Sequence, residues 1–371
     1  MALPKFNGHL ILITGANGYI ASQTVKAFLD TGYSVRGTAR SFASTQGLLG
    51  VLKSYVDAGR FSVVEVKDIT ADGAFDDAVK GCHGIVHMAS PISQFFRDPS
   101  IIDTAVKGTT SILASAVAYA KTQPDPPLRS FVLTSSTAAM QRPKDPPYTF
   151  TDRDWNDFSP AQVAEKGSEV ESYHIYRASK VASEKALWQF RDEHKPSFTV
   201  TAINPTWVIG PPLVSPETPD KINETVAPIW KILNGEPIPA PLSGIPGTSS
   251  YVDVRDVGRL HVFAVRKLDV ADGQRYIACA GLGAEQAIAD ILRREYVEDG
   301  GSRAEWFRGL KDSHGKPRSI EKGSPGEGYK PDYAFGEIVL DGSKAAKDSG
   351  LEYTGYETTV FDAAKVFEQY L

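Results

Sequence analysis

Cysteine is scarce in this chain, with two among 371 residues, Cys82 and Cys279, far apart in sequence. Two thiols can close one bridge at most, which excludes a disulfide framework, and neither falls in a metal-binding spacing. Histidines are scattered at His9, His83, His87, His174, His194, His261 and His314, with no HExxH or CxxC motif, so no metal centre is expected. Long apolar runs are missing too. The run after His9 spans five residues before Gly15, too short for a secretory leader, and nothing approaches the roughly 20 residues of a membrane helix. Nor is there an excess of positive charge: Lys+Arg 40 against Asp+Glu 45 gives a net charge of −5, which speaks against nucleic acid as a partner. Together these absences predict a soluble cytoplasmic protein with neither a nucleic-acid nor a membrane partner; a monomer or homodimer is the expected state, and no residue here decides between them.

What is present is an ordinary globular composition, 42% hydrophobic and 23% charged, long enough for two or three lobes. Over the first 205 residues strand-like and helix-like segments alternate. Leu10–Thr14 is a continuous apolar run of the kind buried on both faces of a parallel sheet, and Ala21–Asp30 reads as a helix ending near Gly32. Tyr33–Ala39, Phe61–Val66, Gly84–Met88, Ser130–Ser135 and Phe198–Asn204 read as further strands; Ala105–Lys121 and Glu169–His194 read as long helices. The alternation predicts an α/β fold, a doubly wound parallel sheet of Rossmann type. Beyond Pro205 the texture turns proline-rich, with helical pieces near Lys221–Leu233 and Ala284–Tyr296, while Tyr251–Val265 and Arg275–Cys279 read as a return to the sheet. Residues 1–209 with 249–283 are expected to form the dinucleotide-binding domain, 210–248 with 284–345 a smaller substrate lobe, and 346–371 a C-terminal helix.

The first strand runs into Thr14-Gly15-Ala16-Asn17-Gly18-Tyr19-Ile20-Ala21. Gly15 permits a tight strand-to-helix turn, Gly18 lets a pyrophosphate approach the backbone, and Ala21 allows close helix–sheet packing at a helix N-terminus that attracts negative charge. A cofactor without a 2′-phosphate usually meets an acid at the end of the second strand. Here no acid occurs between Tyr33 and Val56, and Arg40 stands in that place. A guanidinium suits a phosphate, so NADP(H) is the expected cofactor.

Tyr176-Arg177-Ala178-Ser179-Lys180 lies in the longest helix, and residues four apart share a helix face. A phenol and an ammonium can therefore meet one turn apart, near Thr134-Ser135-Ser136 at the end of the fifth strand. An ammonium beside a phenol favours its ionised form and helps it trade protons near neutrality.

In order, TGANGYIA, Arg40, KDIT with Asp68, HMASP, TSS, YRASK, NPTWVIGPP and SYVDVRDVGRLHV resemble the extended short-chain dehydrogenase/reductases. Within them the chain is most similar to the dihydroflavonol reductase, cinnamoyl-CoA reductase and fungal NADPH-dependent aldehyde (methylglyoxal) reductase branch, from about Leu10 to Val265. The resemblance implies a carbonyl reductase with Ser136, Tyr176 and Lys180 as its triad, Ser136 being the family's usual serine of the two. It also implies cofactor contacts from Gly15, Asn17, Gly18, Tyr19, Ile20 and Arg40, from Asp68 and Ile69 at the adenine, and from Ala89, Ser90, Pro91 and Thr134. Tyr176, Lys180, Pro205, Trp207 and Val208 would face the nicotinamide end. Phe95, Phe96 and Trp207 are expected to wall an apolar substrate pocket with parts of 143–158; the competing reading makes them plain core aromatics. Two rivals remain on the same fold. A nucleotide-sugar epimerase or dehydratase usually wants another acid or base beside the serine, where this chain has Thr137-Ala138-Ala139; a catalytically silent NADP-sensing regulator typically lacks the Tyr/Lys pair.

Overall fold

Leu10–Ile13 (β1) sends Ile11 and Ile13 into one apolar layer and Leu12 into another, which is why its sequence is apolar without alternation. In the computed structural model, which describes residues 3–90, 97–122, 127–238, 250–312, 315–322 and 338–371, β1 is an inner strand of a seven-stranded sheet. The other strands are Ser34–Ala39 (β2), Phe61–Glu65 (β3), Gly84–His87 (β4), Ser130–Thr134 (β5), Thr199–Pro205 (β6) and Arg275–Ala278 (β7), in the order β7-β6-β5-β4-β1-β2-β3. Every pairing in this sheet is parallel. The chain winds outward from β1 through β2 to β3, then returns to the other side of β1 as β4. The order reverses between β1 and β4, and the crevice at their carboxyl ends is where such sheets bind ligands.

One face is covered by Tyr19–Asp30 (α1), the other by Ile101–Lys121 (α2) and Ser172–His194 (α3). No glycine or proline interrupts α3, and Arg191 and His194 in its last turn suit the helix dipole. Ala227–Leu233 (α4) and Glu285–Tyr296 (α6) build a second core with Tyr356–Phe367 (α7), around Trp230, Ile288, Leu292 and Phe367.

The segment Tyr251–Val265 departs from its expected strand. Only Ser250–Asp253 is extended, and it pairs with Trp207–Ile209 and Gly281–Leu282 in a separate three-stranded sheet. Val254–Arg266 (α5) is a helix packed on α1. The cause is local. Asp253 caps the helix by accepting the Arg255 amide at 2.8 Å, and Val254, Val257, His261 and Ala264 recur at helical spacing on the buried side. Asp253 also takes Arg255 in a bidentate pair and the Thr359 hydroxyl at 2.9 Å, while Asp256 accepts the Thr354 amide at 2.7 Å. The SYVDVRDV motif thus locks α5 to the C-terminal segment. Tyr148–Phe150, inside the expected pocket loop, pairs with Ile338–Leu340.

Candidate active site

Gly15 leaves β1 at φ +65°, and a Cβ there would meet the Ala89 backbone at 3.2 Å, so the loop turns tightly against the end of β4. Thr14 fastens the two. Its Oγ1 accepts the amides of Met88 and Ala89, both at 2.9 Å, which leaves its proton for His87 Nδ1 at 2.9 Å. Burial holds the His87 pKa down at about 3, so this imidazole is neutral. A Cβ on Gly18 would stand 3.1 Å from the Gly15 carbonyl, and no side chain caps α1. Among the described residues no acceptor meets the amides of Tyr19, Ile20 and Ala21. A close-approach cradle with unspent donors at a helix N-terminus fits a pyrophosphate.

Several of the other expected cofactor residues lie on the segments that leave β2 and β3. Asn17 donates to the Ser44 carbonyl at 3.2 Å, tying the loop to the segment after Arg40. Arg40 itself is exposed just past β2 and has no partner among the described residues. Arg36, within β2, is committed to the carbonyls of Ala78 and Lys80 at 2.7 and 2.8 Å. Asp68 is exposed past β3, its carboxyl held below the usual range by the hydroxyl and amide of Thr70, and Ile69 packs over Gly108 of α2. Tyr19 turns away, donating to the Gly210 carbonyl at 2.8 Å and joining α1 to the proline-rich segment.

Ser135 and Ser136 separate clearly. The Ser135 hydroxyl is buried and donates to Glu184 at 2.5 Å, whereas Ser136 hydrogen-bonds Tyr176 and accepts the Ala138 amide at 3.1 Å. Burial raises the Tyr176 pKa, the Ser136 hydrogen bond opposes that rise, and Glu224 adds to it. The phenol is therefore protonated at neutral pH. Lys180 lies 6.0 Å from the Tyr176 ring centroid and donates to Ser90 Oγ at 3.4 Å. Burial depresses its pKa to about 8, with Glu184 opposing the fall. A hydroxyl, a protonated phenol and a desolvated ammonium thus meet near the carboxyl ends of β4 and β5, beside the phosphate cradle.

Thr134 donates to neutral His261 at 2.7 Å, so its hydroxyl is engaged with α5. Pro205 ends β6 and accepts Thr137 Oγ1 at 3.2 Å; Val208 is buried in the three-stranded sheet. Trp207 is half-buried against the second core, its indole donating to the Thr225 carbonyl at 2.8 Å. Pro91, Phe95 and Phe96 lie outside the described residues. The sequence reading missed Glu184, Asn204, Arg275 and Glu224. Glu184 alone carried a signal, standing four residues beyond Lys180 on the face of the Tyr/Lys pair. Among the described residues, no cluster of three His, Cys, Asp or Glu could hold a metal ion, and no helix is long and apolar enough to cross a membrane.

Residues 11–279 match the NAD dependent epimerase/dehydratase family. The chain is 36% identical over 262 residues to aldehyde reductase 2 of Sporidiobolus salmonicolor, covering 69% of this chain and 72% of that one. It is 32% identical over 370 residues to ketoreductase azaE of Aspergillus niger, covering 95% and 96%. The solved structure of yeast methylglyoxal/isovaleraldehyde reductase Gre2 complexed with NADPH matches with a TM-score of 0.75 and 27% identity, over 97% of this chain and 98% of that one.

Proposed function

The chain belongs to the NAD dependent epimerase/dehydratase family, and from that footing we propose that it is an NADPH-dependent carbonyl reductase converting ketones and aldehydes to alcohols. The observation that carries this reading is the meeting of Ser136, protonated Tyr176 and buried Lys180 beside the Gly15–Gly18 cradle. The relatives named aldehyde reductase and ketoreductase, and the NADPH held by Gre2, support it. Thr137, Ala138 and Ala139 add no acid or base beside Ser136, which favours reduction over epimerisation or dehydration.

NADPH, when bound, supplies the hydride. The chain's own residues do the rest. As negative charge builds on the substrate oxygen, Ser136 donates to it and Tyr176 delivers the proton. Lys180, one turn along α3, favours the phenolate left behind and holds the nicotinamide ribose. The amides at the start of α1 would take the pyrophosphate, Asp68 and Ile69 would meet the adenine, and Ala89, Ser90, Pro205 and Val208 would line the rest of the cofactor, with Pro91, outside the described residues, expected beside them from the sequence. Residues 1–209 with 249–283 form the cofactor half in this reading. Residues 210–248 with 284–345 form the substrate half, and 346–371 the C-terminal helix. The substrate pocket of this reading lies between the halves, with Trp207 and parts of 143–158 in its wall; Phe95 and Phe96, expected there from the sequence, lie outside the described residues. Every residue in this scheme comes from one chain, so a monomer or a homodimer suffices. The unpaired thiols Cys82 and Cys279 suit a reducing cytoplasm.

Mixing the protein with NADPH and a panel of ketones and aldehydes should oxidise the cofactor as alcohol accumulates. Failure with every carbonyl would defeat the reading. Arg40→Asp should weaken use of NADPH by ~1–3 kcal/mol in kcat/KM and spare NADH, because only NADPH carries the phosphate that Arg40 meets. Equal losses with both cofactors would reassign Arg40 to the scaffold. The pH dependence has a fixed sign. A lysine with its pKa lowered to about 8 loses its charge as the pH rises through that value. The kcat/KM for reduction should therefore hold on the neutral side and fall above about pH 8. A profile rising through pH 8 to 9 would contradict a role for charged Lys180.

A further inference from the structure

Glu184 is fully buried, yet the scheme above gives it no work. Its Oε2 accepts Ser135 Oγ at 2.5 Å and Asn204 Nδ2 at 2.7 Å; its Oε1 accepts Arg275 Nε at 2.5 Å and Trp188 Nε1 at 3.4 Å. Arg275 is held in turn by the carbonyls of Asp152 and Asp154 at 2.8 and 2.7 Å, with its guanidinium 3.9 Å from the Trp155 ring centroid. The same Asn204 amide donates to the Ser136 carbonyl at 3.2 Å. One carboxylate therefore joins α3, the ends of β5 and β6, the edge strand β7 and the 152–155 loop beneath the proposed active site. A buried ion pair is a poor stabilising device, since well-packed apolar side chains of similar volume often do as well or better. Its location supplies another reason for it.

We propose that Glu184 is a positioning residue for the reduction, fixing Ser136 through Asn204 and Ser135 and placing a negative charge one turn beyond Lys180. This rests on the reductase reading. With Ser135 tied down and the Ser136 carbonyl held, only the Ser136 hydroxyl is presented to Tyr176. The titratable groups around Lys180 are Tyr176 and Glu184 on its own helix and neutral His87 on β4, while α2 meets α3 here through Thr109 on Ser183 at 2.8 Å. Glu184 is thus the negative charge that opposes desolvation of the ammonium. No ion pair joins the two, because four other donors occupy the carboxylate. It acts at a distance and keeps its geometry.

The test uses the full-length protein labelled with 13C-lysine. Lys180, assigned with Lys180→Arg, is titrated by NMR without cofactor in the parent, Glu184→Gln and Glu184→Asp; kcat and the KM for NADPH are measured alongside. Glu184→Gln should move the Lys180 midpoint down by about half a unit or more and lower kcat by ~10-fold or more, with KM for NADPH changed less than about threefold. Glu184→Asp should restore most of both. Either readout at the parent value in Glu184→Gln overturns the proposal, because a merely structural carboxylate would leave the Lys180 titration in place. Should Glu184→Gln fail to fold, the double variant Glu184→Gln/Arg275→Met removes both ends of the pair and is held to the kcat outcome alone, since losing the Arg275 cation offsets the lost carboxylate at Lys180. The parent's NADPH-driven reduction, lost in Tyr176→Phe, checks the reductase reading separately. Its absence would defeat that reading, whereas an active parent with an unmoved Glu184→Gln would defeat this inference alone.

Discussion

Tyr176→Phe is expected to cut turnover by about 10²-fold or more while leaving NADPH binding nearly unchanged. The substitution deletes one oxygen and keeps the ring, so packing on α3 and the 6.0 Å spacing from Lys180 to the ring centroid survive. What disappears is the proton donor. A positioned general acid is worth ~10²–10⁴-fold, and water reaching this half-buried position would recover little of it. The effect should fall on kcat and kcat/KM together, the signature of an interaction made only in the transition state. Burial already keeps the phenol protonated, with Ser136 opposing the shift through its hydrogen bond, so the parent is primed to donate. A folded variant reducing ketones at the parent rate would remove Tyr176 from the chemistry.

Gly18→Val should raise the Kd for NADPH by more than ~100-fold, about 2.7 kcal/mol, with the sheet intact. Gly18 sits at φ −71°, so backbone strain is not the reason. The reason is space. A Cβ would already lie 3.1 Å from the Gly15 carbonyl, and the two γ-methyls would project over the uncapped amides of α1. Circular dichroism at the parent value combined with lost fluorescence enhancement on NADPH titration is the expected pair of results. An unchanged Kd would give the loop a purely structural role.

These residues were legible because their signals are local. A glycine spacing after an apolar run, a missing acid after β2, and a Tyr/Lys pair four apart are all short-range patterns. The sheet strands were legible for a similar reason: β1, buried on both faces, is apolar throughout, and the others carry short runs rich in apolar and β-branched residues. Val254–Arg266 was misread as sheet because its valines and Phe263 have strand-forming composition. The Asp253 cap and the helical recurrence of Val254, Val257, His261 and Ala264 outweigh that composition. The choice of Ser136 over Ser135 rests on the family resemblance; in the structure Ser135 donates to Glu184 while Ser136 hydrogen-bonds Tyr176. The network of Ser135, Glu184, Asn204 and Arg275 joins four elements spread over 140 residues of sequence. Contacts of that range leave no periodicity to read. Phe95 and Phe96, proposed for the substrate wall, fall outside the described residues; of the other residues proposed there, Trp207 donates to the Thr225 carbonyl and Tyr148–Phe150 pairs with Ile338–Leu340.

The central claim, hydride delivery to a carbonyl at the Ser136–Tyr176–Lys180 site, is tested most directly by isotope transfer. NADPH carrying deuterium on either face of C4 is incubated with the protein and an accepted ketone, and the alcohol is analysed by mass spectrometry and NMR. The account predicts one deuterium on the carbinol carbon from one of the two labelled cofactors, and labelled alcohol lower by about 10²-fold or more from Tyr176→Phe over the same interval. Alcohol formed without label from either cofactor, or equal labelling by the Tyr176→Phe variant, would contradict it.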